Sequence, residues 1–151
     1  MKRLGLLAFT FLLALSTSAQ WANPEQKEVP AFNAAAPRSG TKLPPLLAGD
    51  QLKTPMFRYP FQARAYEAAA RNSKLIYQLP CYCYCDRSQG HNSLHSCFEG
   101  THGANCATCI QEAFYADKMA KLHKTPKQIR EGIMRGEYKS IDLNTMNGPL
   151  A

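Results

Sequence analysis

Residues 80–109 read Pro-Cys-Tyr-Cys-Tyr-Cys-Asp-Arg-Ser-Gln-Gly-His-Asn-Ser-Leu-His-Ser-Cys-Phe-Glu-Gly-Thr-His-Gly-Ala-Asn-Cys-Ala-Thr-Cys. All six cysteines of the chain and three of its four histidines fall in this stretch. Up to residue 104 its few apolar residues keep neither a period of two nor one of 3.6, so it predicts a loop. A loop of that length in a small domain needs an organising agent, and the residues offer two: metal ligation or disulfides.

The flanks predict helices. Before the loop, Pro60 suits a first turn, and Phe61, Ala65, Ala68, Ala69, Ile76 and Leu79 fall near helical spacing. This predicts a helix over about 61–78, which Pro80 blocks from continuing. After the loop, a second helix is expected from about Asn105 to His123, with Cys106, Cys109, Ile110, Ala113 and Ala120 on one face. Thr125-Pro126-Lys127-Gln128 then supplies a capping threonine, proline at the first helical position and glutamine at the third, predicting a helix over 126–134 that Gly136 ends. The expected fold class is mainly α: a small three-helix domain with a Cys/His-rich loop between helices 1 and 2. Its first two helices are expected to pack antiparallel, with the loop over one end and the short third helix closing the other.

Outward from this domain, taken as residues 59–142, the chain reads as peripheral segments. Lys2 and Arg3, the apolar run Leu4 to Leu15 and the small residues Thr17-Ser18-Ala19 form a signal-peptide pattern over 1–19. The apolar run is too short to cross a bilayer as a helix, so no membrane span is expected after cleavage and the protein is expected to be exported, to a periplasm or the cell exterior. Residues 20–58 hold six prolines and no sustained period, which predicts a disordered Pro/Ala-rich linker, with Leu43–Leu47 and Met56–Tyr59 as the parts able to lie across the folded body. Residues 143–151 are expected to be a flexible tail. Without Lys2 and Arg3, 16 basic residues face 11 acidic ones, a mild net charge of +5 spread along helical segments. That reads as a solvated helix face, not a nucleic-acid footprint.

The chemistry is carried by Cys81, Cys83, Cys85, His91, Cys97, His102, Cys106 and Cys109. If residues 81–85 are extended, the three cysteines point to one face and Tyr82 and Tyr84 to the other, and neighbouring members pair poorly as disulfides. Three convergent thiols suit a soft cation. Cys106 and Cys109 stand at the expected helix start, where unsatisfied amides and the helix dipole favour thiolate. His91, His95 and His102 add imidazoles, the first two expected on one face of a short turn around Ser93-Leu94. Sulfur with imidazole fits zinc, copper(I) or a toxic soft metal, and so carboxylate-poor a set fits neither calcium nor magnesium.

Other chemistries fail on the residues. Cys106-Ala107-Thr108-Cys109 is followed by Ile110 instead of histidine, which excludes c-type haem attachment. The spacings match no common ferredoxin cluster, and no phosphate loop, serine elbow or paired carboxylates occur. A conventional hydrolase or transferase is thereby set aside. The enzymatic reading that remains is a thiol-disulfide oxidoreductase using Cys106 and Cys109.

At Pro80 to Cys85, Gly90-His91, Ser93-Leu94, Cys97-Phe98, His102-Gly103, Cys106, Cys109 and Glu112-Ala113, the chain resembles the bacterial exported PCYCGC-motif family, also called the CYCXC family of (seleno)proteins. The resemblance runs over about residues 60–141. It implies a reactive or metal-binding chalcogen, since a structural disulfide gains little from selenium. Where the family often has glycine, this chain has Tyr84, and it lacks the lipid-acceptor cysteine of many relatives.

Three functional readings follow. The first is an exported protein binding zinc or copper for trafficking, sensing or storage outside the cytoplasm. The second is an extracytoplasmic thiol-disulfide redox protein, and the third a disulfide-stapled binding or structural module. The partners expected are the metal ion itself and another exported thiol or metal-handling protein.

Overall fold

The computed structural model describes residues 28–147; the expected signal peptide, the first part of the expected linker and residues 148–151 lie outside them. The described residues are mainly helical and contain no strand. Helix α1 spans Pro60–Arg71, α2 Ser73–Ile76, α3 Cys85–Gln89, α4 Ala107–Lys121 and α5 Pro126–Met134. Short 3-10 turns at Gly49–Lys53, Leu94–Phe98, Gly103–Asn105, Glu137–Ser140 and Leu143–Met146 complete the backbone.

The first expected helix is interrupted at Asn72. Its side-chain amide donates to the Ala68 carbonyl and to Asp117 Oδ1, drawing the backbone out of helical geometry, and α2 restarts at the next residue. α5 forms as its cap predicts: Gln128 N–H donates to Thr125 Oγ1 while Thr125 N–H donates to Gln128 Oε1, with Pro126 at the first position.

The largest helix contact, α1 on α4, runs parallel and not antiparallel. Gln62, near the start of α1, donates to the Ala104 carbonyl just before α4, whereas Arg71 and Asn72, at the far end of α1, reach Asp117 in the last turns of α4. The physical reason is the connection between the two helices. It is long enough to carry the chain back to the level at which α1 began.

The core between these helices centres on Tyr66, Ile76, Leu79, Leu94, Phe98 and Ile110, all essentially inaccessible. Tyr66 packs edge-on against Phe57 and Phe98, with centroids 5.0 and 4.9 Å away. Its hydroxyl donates to the Gly100 carbonyl at 2.6 Å and accepts from Ala104 N–H at 3.0 Å. Burial therefore holds that phenol well above its ordinary pKa. One α1 side chain thus fastens two points of the connection that leads into Cys106.

Within the described residues, parts of the expected linker and tail contact the helical body, Leu47 among them in one of the stretches expected to lie across it. Pro30 is buried, Ala31 N–H donates to Asp86, Asn33 donates to the Tyr77 carbonyl, Leu47 N–H donates to the Phe98 carbonyl, and Leu52 enters the core. At the other end Leu143 and Met146 pack against the core, and Arg64 donates to the Met146 carbonyl. These segments use isolated apolar side chains and borrowed hydrogen-bond partners, neither of which produces a periodic pattern.

Asp117 ties α4 to the end of α1 through Asn72 and Arg71, and pairs with Lys121 one turn on in its own helix. Burial alone would raise its carboxyl pKa, but Lys121, Arg71 and Asn72 outweigh that and hold it below the usual range. Its stabilising contribution is then complete above the unfolded-state value near 3.8 and is lost as pH falls through the lower folded value. Asp117→Ala should lower stability by about 2 kcal/mol at pH 7. It should also flatten the loss of stability below about pH 4. Thermal melts of both proteins from pH 2 to 7 check this.

Candidate metal centre

Residues 81–85 form a turn where an extended triplet was expected. Tyr84 N–H donates to the Cys81 carbonyl at 3.1 Å, Tyr84 has φ 57° and ψ 33°, and α3 begins at Cys85. The sulfurs nonetheless converge, because the chain curls around them: Cys81 and Cys83 Sγ are 3.3 Å apart, and Cys81, Cys83 and Cys85 lie mutually within 4.8 Å. The tyrosines are not simply turned away. Tyr82 stacks on Tyr138 and meets Tyr84 edge-on, while the Arg87 guanidinium lies 4.6 Å from the Tyr84 ring centre.

The connection then delivers the other donors. Cys97 Sγ, buried on the 3-10 turn Leu94–Phe98, lies 3.4 Å from Cys85 Sγ and 3.4 Å from His91 Nδ1. Gly103 follows His102, and a Cβ there would press on the Cys97 carbonyl and the Phe98 ring, so the absence of a side chain lets this segment close against Cys97. His102 reaches Cys83 with Nε2 at 3.7 Å and meets the His91 ring edge-on at 4.9 Å. Cys106 caps α4 in extended geometry and Cys109 lies in its first turn, 3.3 Å from Cys81 and 3.7 Å from Cys83.

The structure therefore brings together all eight residues singled out from the sequence: Cys81, Cys83, Cys85, His91, Cys97, His102, Cys106 and Cys109. They form overlapping groups, Cys83-His102-Cys106-Cys109, Cys85-His91-Cys97-His102, Cys81-Cys83-Cys85 and Cys81-Cys97-Cys109, whose donor atoms lie within 4.8 Å of one another. The six thiols are free. Sulfurs 3.3–3.7 Å apart are well beyond the roughly 2.05 Å of a disulfide. They approach the separation of about 3.8 Å that tetrahedral zinc imposes on two ligands at 2.3 Å.

His95 does not join this group. It is buried, with Nδ1 2.9 Å from Glu99 Oε1 and Nε2 3.1 Å from Ser73 Oγ, so both nitrogens are engaged on the far side of the turn. Ser93 is extended, which separates His91 from the turn carrying His95.

Proton distribution also differs from the helix-start expectation. Cys83 is held low by hydrogen bonds from Cys106, Cys109 and Cys81, and Cys85 is held low as well, chiefly by Cys81. Cys109 is pushed up, chiefly by Cys106; Cys106 is pushed up as well, the Cys109 contact being outweighed by Cys83 and burial. Crowding favours negative charge on Cys83 and Cys85 and makes thiolates at Cys81, Cys97, Cys106 and Cys109 harder to form.

Glu112, which enters the sequence reading only through the family resemblance, stands beside the cluster. It is fully buried three residues after Cys109, where Oε1 accepts Tyr82 N–H at 2.8 Å and Oε2 has no partner among the described residues. Burial pushes its pKa up to about 8. Its place one helical turn beyond a cysteine was the available signal. By fixing the Tyr82 amide it sets the start of the cysteine turn.

A family model described as a protein of unknown function with PCYCGC motif matches residues 47–144. The chain belongs to the PCYCGC-motif family. No curated protein and no solved structure matches it. The motif's own spelling accounts for the backbone of the turn. Its glycine falls at Tyr84, which occupies left-handed geometry that an ordinary side chain enters only at a cost.

Two substitutions at this position separate backbone strain from side-chain packing. Tyr84→Gly should leave the melting temperature unchanged or raise it, since relief at φ 57° offsets loss of the Arg87 contact. Tyr84→Val, β-branched, should cost about 1–3 kcal/mol. Equal melting temperatures for the two variants would rule out a strained turn.

Proposed function

We propose that this protein binds a thiophilic metal ion, zinc or copper(I), and serves in metal trafficking, sensing or storage outside the cytoplasm. The observation that carries this reading is the convergence of six free thiols and two imidazoles on one region of the connection between α1 and α4. Four sulfurs surround that of Cys81 within 4.8 Å. Three structural disulfides would draw the sulfurs into separated pairs, whereas bound metal favours a shared cluster.

Cys81, Cys85, Cys97 and Cys109 are buried, while Cys83, Cys106, His91 and His102 are half-buried. Such a site holds its ion away from bulk water yet leaves donors within reach of an incoming carrier. His91 also borders a surface cavity of about 500 Å³ shared with Asn92, His95 and Glu99. The signal-peptide pattern of residues 1–19 supports the extracytoplasmic location. A partner of matching chemistry is another exported thiol or metal-handling protein.

A second reading, thiol-disulfide exchange, is favoured by the 3.3 Å approach of Cys81 to both Cys83 and Cys109. Closing either pair would release two protons and pass two electrons to an oxidised disulfide partner.

Elemental analysis and a free-thiol count on one sample, purified without chelator, separate these readings. At least one equivalent of zinc or copper is expected, with six thiols titrating after denaturation in chelator. Less than about a tenth of an equivalent of either metal would contradict the metal reading. Absence of metal with two or more thiols already oxidised would favour disulfide chemistry.

A further inference from the structure

We propose that the eight donors divide into two adjacent and chemically unlike metal sites, a four-thiolate site of Cys81, Cys83, Cys106 and Cys109 and a two-thiolate, two-imidazole site of Cys85, Cys97, His91 and His102. This division rests on the metal-binding reading and adds to it a stoichiometry of two ions and a ligand set for each.

The argument begins from His102. It belongs to both four-residue groups, Cys83-His102-Cys106-Cys109 and Cys85-His91-Cys97-His102, but one imidazole nitrogen fills one coordination position. Cys81 belongs to neither, although its sulfur is 3.3 Å from both Cys83 and Cys109. Assigning His102 to the second group and Cys81 to the first uses each donor once and completes two four-coordinate sets. The opposite assignment would pull Cys81 away from its two closest sulfur neighbours. The sites share a boundary, since the sulfurs of Cys81, Cys97 and Cys109 lie within 4.8 Å of one another.

Charge agrees with this division. Four thiolates around a divalent ion leave two net negative charges, whereas two thiolates and two neutral imidazoles leave none. The negative site is the one built on the start of α4, with Cys106 at its cap and Cys109 in its first turn, where the positive end of a 15-residue helix dipole lies. The neutral site draws its donors from the connection and needs no such compensation. Softness divides the same way. The all-sulfur site favours the softer cation, copper(I) or cadmium, and the mixed site favours zinc.

Cadmium-113 NMR on the reduced full-length chain, loaded with two equivalents of the ion, tests the division. Two resonances are expected, one in the downfield range of four-sulfur coordination and one further upfield. The β-protons of Cys81, Cys83, Cys106 and Cys109 should correlate with the first, and those of Cys85 and Cys97, with the ring protons of His91 and His102, with the second. His102→Asn should abolish the upfield resonance and keep the downfield one. If that variant does not fold, the wild-type correlations decide alone. A single resonance, His102 ring protons on the downfield signal, or Cys81 β-protons on both signals would overturn the division while leaving metal binding intact. Failure to bind cadmium at all would overturn the binding reading and the division together.

Discussion

Crowding of sulfur around Cys81 is the constraint on which the rest of the domain depends. Four other sulfurs lie within 4.8 Å of its own, on chain segments as far apart in sequence as residues 83 and 109. Thiols gain little from such crowding by themselves. Each proton removed from one makes removal from its neighbours harder, which is why Cys83 is held low while Cys81 and Cys109 are pushed up. A cation among these sulfurs changes the balance, because thiolates that repel one another become ligands of a common charge. The cluster could thus hold a metal ion, which would offset the repulsion among its thiolates.

The helical body supplies the fixed points against which this crowding is built. Tyr66 and Gln62 on α1 together bind both the amide and the carbonyl of Ala104, which sets the entry into Cys106. Glu112 on α4 takes the Tyr82 amide and so sets the start of the cysteine turn. Gly103 lets the His102 segment close on Cys97. The parallel course of α1 and α4 follows from the same requirement. The connection must return the length of α1, and on the way it presents Cys81, Cys83 and Cys97 to the first turn of α4.

What the sequence made legible divides along physical lines. Capping chemistry is local, so Thr125 to Gln128 predicted α5 to the residue. The convergence of the eight cysteines and histidines was legible because all of them fall in one stretch that lacks a helix or strand period of its own up to residue 104. The turn at 81–85 was not, because alternation of cysteine and tyrosine mimics the period of a strand, and the usual marker of left-handed backbone, glycine, is replaced here by Tyr84. Helix direction was missed because periodicity reports a buried face and carries no sense of direction. In residues 28–58 the apolar runs around Leu47 and Phe57 were legible as parts able to lie across the body, whereas Leu52, which reaches the core singly, was not. His95 shows the opposite error: its spacing from His91 promised a shared face, but Ser73 and Glu99 satisfy it elsewhere.

If ligation organises the connection, its removal should be felt there first. Amide hydrogen exchange over residues 79–109, measured on metal-loaded protein and on the same reduced protein after chelation, tests this most directly. Exchange in this region should quicken at least tenfold on stripping and recover on reloading, while α5 keeps its protection. Unchanged protection across residues 79–109 in protein shown to have lost its metal would contradict the claim that metal ligation holds this part of the fold.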